Sequence, residues 1–99
     1  MAAELEVRPE AQDDIEAAAL WYEAQKAGLG ERFVFEVDAL IDRVRSHPLQ
    51  FPVIEPPVRR GLLRRFPYAV YFVAEDQGGG TVLAVLHQYR DPDIWRDRL

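Results

Sequence analysis

Residues 68–89 read YAVYFVAEDQGGGTVLAVLHQY, two apolar runs separated by Asp76-Gln77-Gly78-Gly79-Gly80. The runs at 68–75 and 81–89 predict two strands, and the glycine-rich middle predicts a flexible hairpin loop. Strict alternation sends Tyr68, Val70 and Phe72 to one face and Ala69, Tyr71 and Val73 to the other. In the second run it sets Val82, Ala84 and Leu86 against Leu83, Val85, His87 and Tyr89. Both faces are therefore largely apolar, the pattern of strands buried on both sides. Each face needs a cover, and a face left open would be a binding surface or a liability.

Upstream, residues 58–65 (VRRGLLRR) predict a third strand, with Phe66-Pro67 as the tight turn into the next. Residues 48–57 (PLQFPVIEPP) hold four of the seven prolines. Proline lacks a ladder donor, so a central strand is disfavoured and this stretch reads as a stiff connection, not a domain boundary. Before it, Phe33, Val37, Leu40, Ile41 and Val44 follow helical spacing, giving a helix at about 30–47 that Pro48 stops. Ile15, Ala18, Ala19 and Tyr22 do the same for a helix at about 10–26, opened by Pro9 at its first turn and by acids near its N-terminus. Gly28 and Gly30 mark a short turn, so the two helices should form an antiparallel hairpin. Residues 4–8 alternate as a short strand, and the tail DPDIWRDRL predicts a short helix from about Pro92. Asp91 is the expected cap and Trp95 the expected packing residue. The order β-α-α-β-β-β predicts an α+β domain, a helical hairpin on one face of a three- to four-stranded, largely antiparallel sheet. The hairpin can cover one sheet face only. The other is left to the chain's own tail, a second copy or a different partner.

Ninety-nine residues, 48% of them hydrophobic and 29% charged, fit one globular domain spanning 1–99. The absence of cysteine excludes disulfides, thiolate metal sites and cysteine catalysis. No apolar run is long enough for a membrane span, and no secretory signal is visible at the N-terminus, so the expected location is the cytoplasm. The net charge of −5 argues against a dedicated nucleic-acid binder. Residues 1–57 hold 12 acids and 5 bases, whereas residues 58–99 hold 5 acids and 7 bases. Arginine supplies all but one of the bases, a donor fork suited to carboxylate or phosphate. Asp13, Asp14 and Glu16 read as a solvated helix face and not as metal ligands. Gly78-Gly79-Gly80 lacks the Lys-Ser/Thr of a phosphate loop. No metal or cofactor is expected.

Several short pieces, in this order and spacing, resemble the ParE/RelE superfamily of type II toxin–antitoxin toxins over nearly the whole chain. They are Trp21-Tyr22-Glu23, Gly28-Leu29-Gly30-Glu31-Arg32-Phe33, Phe51-Pro52, Leu63-Arg64-Arg65-Phe66-Pro67-Tyr68, and above all His87-x-x-Arg90-Asp91-Pro92-x-x-Trp95. The resemblance implies a cytoplasmic toxin neutralised by a cognate antitoxin, a segment of which folds onto the toxin. It also implies one of two targets, DNA gyrase for ParE-like members or mRNA on the ribosome for RelE-like ones. A homodimer, or a heterotetramer with the antitoxin, is a possible assembly.

The RelE-type match is incomplete. Arg60 stands at a RelE-type lysine, but Leu62, Ala69 and Trp95 stand at a basic position, an arginine and the C-terminal tyrosine. A tryptophan cannot exchange a proton as a phenol does. Together with the acidic pI this favours gyrase over mRNA cleavage. His87, Tyr71 and Tyr89 are expected on one strand face, and a ribonuclease would draw on His87, Tyr89, Arg60 and Arg64 as base, acid and phosphate-binding cations. Otherwise His87 is a hydrogen-bonded structural residue. Partner contacts are expected at Arg60, Arg64, Tyr71, Val73, Leu83, Val85 and Arg90. A non-toxic relic that binds an antitoxin or itself is a third possibility.

Overall fold

The computed structural model describes residues 4–76, 78–90 and 93–99. Along the chain lie β1 (Leu5–Val7), α1 (Pro9–Gln25), α2 (Leu29–Ser46), a 3-10 turn (Pro48–Gln50), β2 (Val53–Glu55), β3 (Val58–Leu62), β4 (Tyr68–Ala74), β5 (Gly80–His87) and α3 (Ile94–Asp97). The five strands form one sheet in the order β1-β5-β4-β3-β2. β1 runs parallel to β5, and the other pairs are antiparallel. The chain is thus an α+β domain with a helical hairpin against a mostly antiparallel sheet.

The hairpin closes tightly for local reasons. Gly28 precedes α2 at φ 90°, a left-handed conformation that glycine adopts without strain. The Glu23 carboxylate accepts hydrogen bonds from the N–H groups of Gly28 and Gly30, the first donors of α2 that lack helical partners. Gly30 lets the helices meet: a Cβ there would lie 2.4 Å from the Ala19 carbonyl oxygen. Ala11, Ile15 and Ala18 of α1 and Phe33, Val37, Leu40 and Val44 of α2 then pack on Val70, Phe72, Val82 and Val85 of the sheet. Phe51 and Phe66 close the ends of this core.

Three expectations are corrected. The proline-rich segment contains a strand, because β2 is the outer strand of the sheet and its prolines flank it, where no ladder donor is needed. β3 ends at Leu62, short of Arg64 and Arg65. Their N–H groups instead donate to Glu36 of α2 at 2.7 and 2.9 Å, and Phe66 turns into the core. Finally, strict alternation fails in β5. Tyr71 pairs with Ala84 but Phe72 with Val82, so Leu83 is an extra residue, a β-bulge. Val82 and Val85 therefore both face the helices, while Leu83, Ala84 and Leu86 face the opposite side. β5 ends at His87, so Tyr89 lies beyond the strand.

That opposite side carries a second, smaller core of Val58, Ala69, Tyr71, Leu83, Ala84, Leu86 and Trp95. Trp95 belongs to α3, so the chain's own tail covers part of this face. Its ring stacks on Tyr71 with centroids 5.7 Å apart and planes 14° from parallel. Arg96 holds α3 to β2 through Glu55 at 2.6 Å. The expected cap, Asp91, and Pro92 lie outside the described residues.

Candidate partner-binding surface

A bulge leaves backbone groups outside the strand ladder, and unpaired buried backbone is costly. Here two side chains satisfy them. Asp14 of α1 accepts from the Val85 N–H at 3.0 Å, and Arg98 of the tail donates to the Leu83 carbonyl at 3.1 Å. The same two side chains form a bidentate ion pair, at 2.6 and 3.1 Å. Both are part-buried, Asp14 at 14% and Arg98 at 18% side-chain exposure, so the pair is screened less than a surface pair. The hydrogen bond to Asp14 raises the Arg98 pKa further still, against the opposing effect of burial. Arg8 donates to the Arg98 carbonyl, tying the tail to the start of α1 as well. Helix, bulge and tail are thereby locked together, which fixes where Trp95 lies. The spacing of acids along α1 did not single out Asp14 for this role.

The expected site residues fall into separate places. Arg60 is half-buried on the Trp95 side of the sheet, opposite Tyr71. Its Nε is buried with no hydrogen-bond partner among the described residues. Tyr71 and Leu83 share that side but lie almost wholly beneath Trp95 and its neighbours, at 3% and 4% exposure. Val73 is half-buried beside them. Val85 is a correction: it is buried in the helix-facing core and offers a partner no surface. Arg64 is exposed in the β3–β4 connection, and Arg90 is exposed beyond β5.

His87 is a second correction. It pairs with Tyr68, and the two rings lie 5.4 Å apart on the helix side, so Tyr71 and His87 occupy opposite faces. The His87 Nδ1 accepts from the Tyr89 N–H at 3.2 Å, and Tyr89 itself is exposed. Near this end of the sheet, Tyr22 packs on Phe66, Tyr68 and Phe33. Burial raises the Tyr22 phenol above its ordinary range, Tyr68 adds to the effect, and Arg90 opposes it. Arg60 and His87 are thus divided by the sheet and do not converge on one reacting phosphate. Among the described residues no group of three or more histidine, aspartate or glutamate side chains is placed to hold a metal ion. No helix is long and apolar enough to cross a membrane.

The family model described as the ParE toxin of the type II toxin–antitoxin system parDE matches residues 5–92. The chain belongs to that family. A solved structure, the chromosomal ParDE TA system from P. aeruginosa, has a chain with the same fold, at TM-score 0.64 and 20% identity, covering 87% of this chain and 96% of that one. No curated protein matches the sequence.

Proposed function

We propose that this toxin arrests bacterial growth by acting on DNA gyrase in the cytoplasm, and that a cognate antitoxin holds it in check. The observation that carries this over the ribonuclease alternative is the division of Arg60 from His87 by the sheet. Cleavage at a 2′-hydroxyl needs a base, an acid and a phosphate-binding cation around one phosphate. A protein that acts by contact needs only a shaped surface, and membership of the ParE family favours the gyrase target.

Antitoxin contact is best supported on the Trp95 side of the sheet and its rim. Arg60, Arg64 and Arg90 make no ion pair among the described residues, and Leu62 is about half exposed next to Arg60. These are the features an acidic amphipathic segment would take up on folding against the toxin. Tyr71 and Leu83 act from beneath, by supporting that surface.

The reading is tested by inducing the chain in bacteria with and without the His87→Ala change. The account predicts growth arrest with a DNA-damage response, intact mRNA, and toxicity retained by the variant. Arrest accompanied by cuts in ribosome-bound mRNA, abolished by the variant while its folded stability is unchanged, would establish the ribonuclease instead.

A further inference from the structure

Where β4 begins and β5 ends, five ring-bearing side chains form a continuous row on the helix side of the sheet, across it from Arg60. Trp21 meets Tyr22 at 5.0 Å between ring centroids, and Tyr22 meets Tyr68 at 6.0 Å. Tyr68 meets His87 at 5.4 Å, and His87 meets Tyr89 at 5.9 Å. Each ring stands at 66° to 84° to the next, so faces and edges alternate along the row. Buried Phe33 and Phe66 hold Tyr22 from beneath. The two ends are open to water: Trp21 is 53% exposed and Tyr89 79%, while the three rings between them are half-buried. Folding gains little from a ring as open as that of Tyr89. Arg90 is exposed next to it and makes no ion pair among the described residues. Burial and Tyr68 raise the pKa of the Tyr22 phenol and Arg90 lowers it, so the Arg90 charge is felt at the middle of the row.

The make-up of the row selects its ligand. The apolar stripe of a helix packs on aliphatic side chains, and the row presents π-faces bordered by phenol, indole and imidazole edges instead. A nucleobase has the same make-up, a flat face with a polar edge, and it stacks on tyrosine or tryptophan whatever its identity. A guanidinium beside an exposed ring suits the phosphate that joins one base to the next. A duplex keeps its base faces stacked inside, so the strand has to be single. We propose that the row from Trp21 to Tyr89, together with Arg90, is a binding site for single-stranded DNA. The net charge of −5 is compatible with this, because stacking carries the affinity in place of many phosphate contacts. The proposal rests on the gyrase reading only for the source of the strand, since gyrase acts on DNA. Binding measured without gyrase stands or falls separately from that reading.

The test uses the full chain and a labelled oligothymidylate, with binding read by fluorescence anisotropy and tryptophan emission followed in parallel. Trp95 is only 3% exposed, so a base stacking on the row quenches Trp21, and Trp21→Phe is expected to remove the quenching while keeping a ring in place. Tyr89→Ala changes an exposed side chain beyond the strands and is expected to weaken binding about tenfold. Tyr89→Phe keeps the stacking face and is expected to bind within about twofold of the unaltered chain. The same strand paired with its complement is expected to bind at least about tenfold more weakly. The logarithm of the affinity is expected to fall with that of the salt concentration at a slope of about −0.7, one phosphate contact, and Arg90→Ala to flatten it. Binding that ignores Tyr89→Ala, or a duplex held as tightly as the single strand, would overturn the proposal. So would tighter binding of oligouridylate, which would make the ligand RNA. A glutamate-rich peptide that binds more tightly and quenches Trp21 in the same way would also overturn it, since the row would then serve a protein partner.

Discussion

Asp14 and Arg98 show how much a pair of side chains can organise in a domain of this size. They pair with each other and also complete the hydrogen bonding of a β-bulge, so removing either leaves a part-buried charge and a bulge backbone group unpaired. Leaving such groups without partners typically costs about 1–3 kcal/mol. Asp14→Ala should therefore lower the melting temperature by at least about 4 °C, at roughly 4–8 °C per kcal/mol in a domain of this length. Asp14→Asn, which keeps an acceptor for the Val85 N–H, should lose less. Thermal unfolding of the two variants checks this, and equal small losses in both would contradict the role given to the pair. None of this was legible in the sequence. Asp14 and Arg98 are separated by 84 positions, and each taken alone is an ordinary charged residue near a chain end. Arg60 was legible as a candidate from its place in the family resemblance, but only the register places it opposite Tyr71.

At the scale of elements, the sequence was clearest where periodicity was strong. The two helices, their turn and the β4–β5 hairpin fall where the spacing of apolar residues predicts them. The bulge was hidden because Val82, Leu83, Ala84, Val85 and Leu86 are all apolar, and a slip of one residue leaves no polar residue on the wrong face to betray it. That slip moved Val85 into the helix-facing core and parted His87 from Tyr71. β2 was hidden for the opposite reason: proline argues against a strand, except at an edge. The hairpin crossing yields its own prediction. Gly30→Ala places a methyl group within 2.4 Å of the Ala19 carbonyl oxygen, and the backbone there cannot yield without moving α1. Such overpacking typically costs about 1–3 kcal/mol. Urea unfolding should show that loss with an unchanged m-value, whereas Gly30→Ala at full stability would mean that the helices do not cross so closely.

On the scale of the whole molecule, the uneven charge of the sequence becomes a division between surfaces. The acidic part of the chain builds the hairpin with the outer strands β1 and β2, and the arginine-rich part builds β3, β4, β5 and the tail. The apolar second face of the sheet, conspicuous in the sequence, is partly covered by the tail through Trp95. That leaves Arg60, Leu62, Arg64 and Arg90 as what a partner meets around it. Family membership was legible because short pieces recur in order along the chain, although each piece alone is weak. The target was less legible, since it depends on which side chains converge, and convergence is set by faces and register. The most direct test combines the purified protein with gyrase, ATP and relaxed plasmid, and reads the DNA on a gel. The account predicts loss of supercoiling together with accumulation of linear DNA bound to gyrase. Undiminished supercoiling by gyrase, with a preparation of the protein shown to arrest growth, would contradict it.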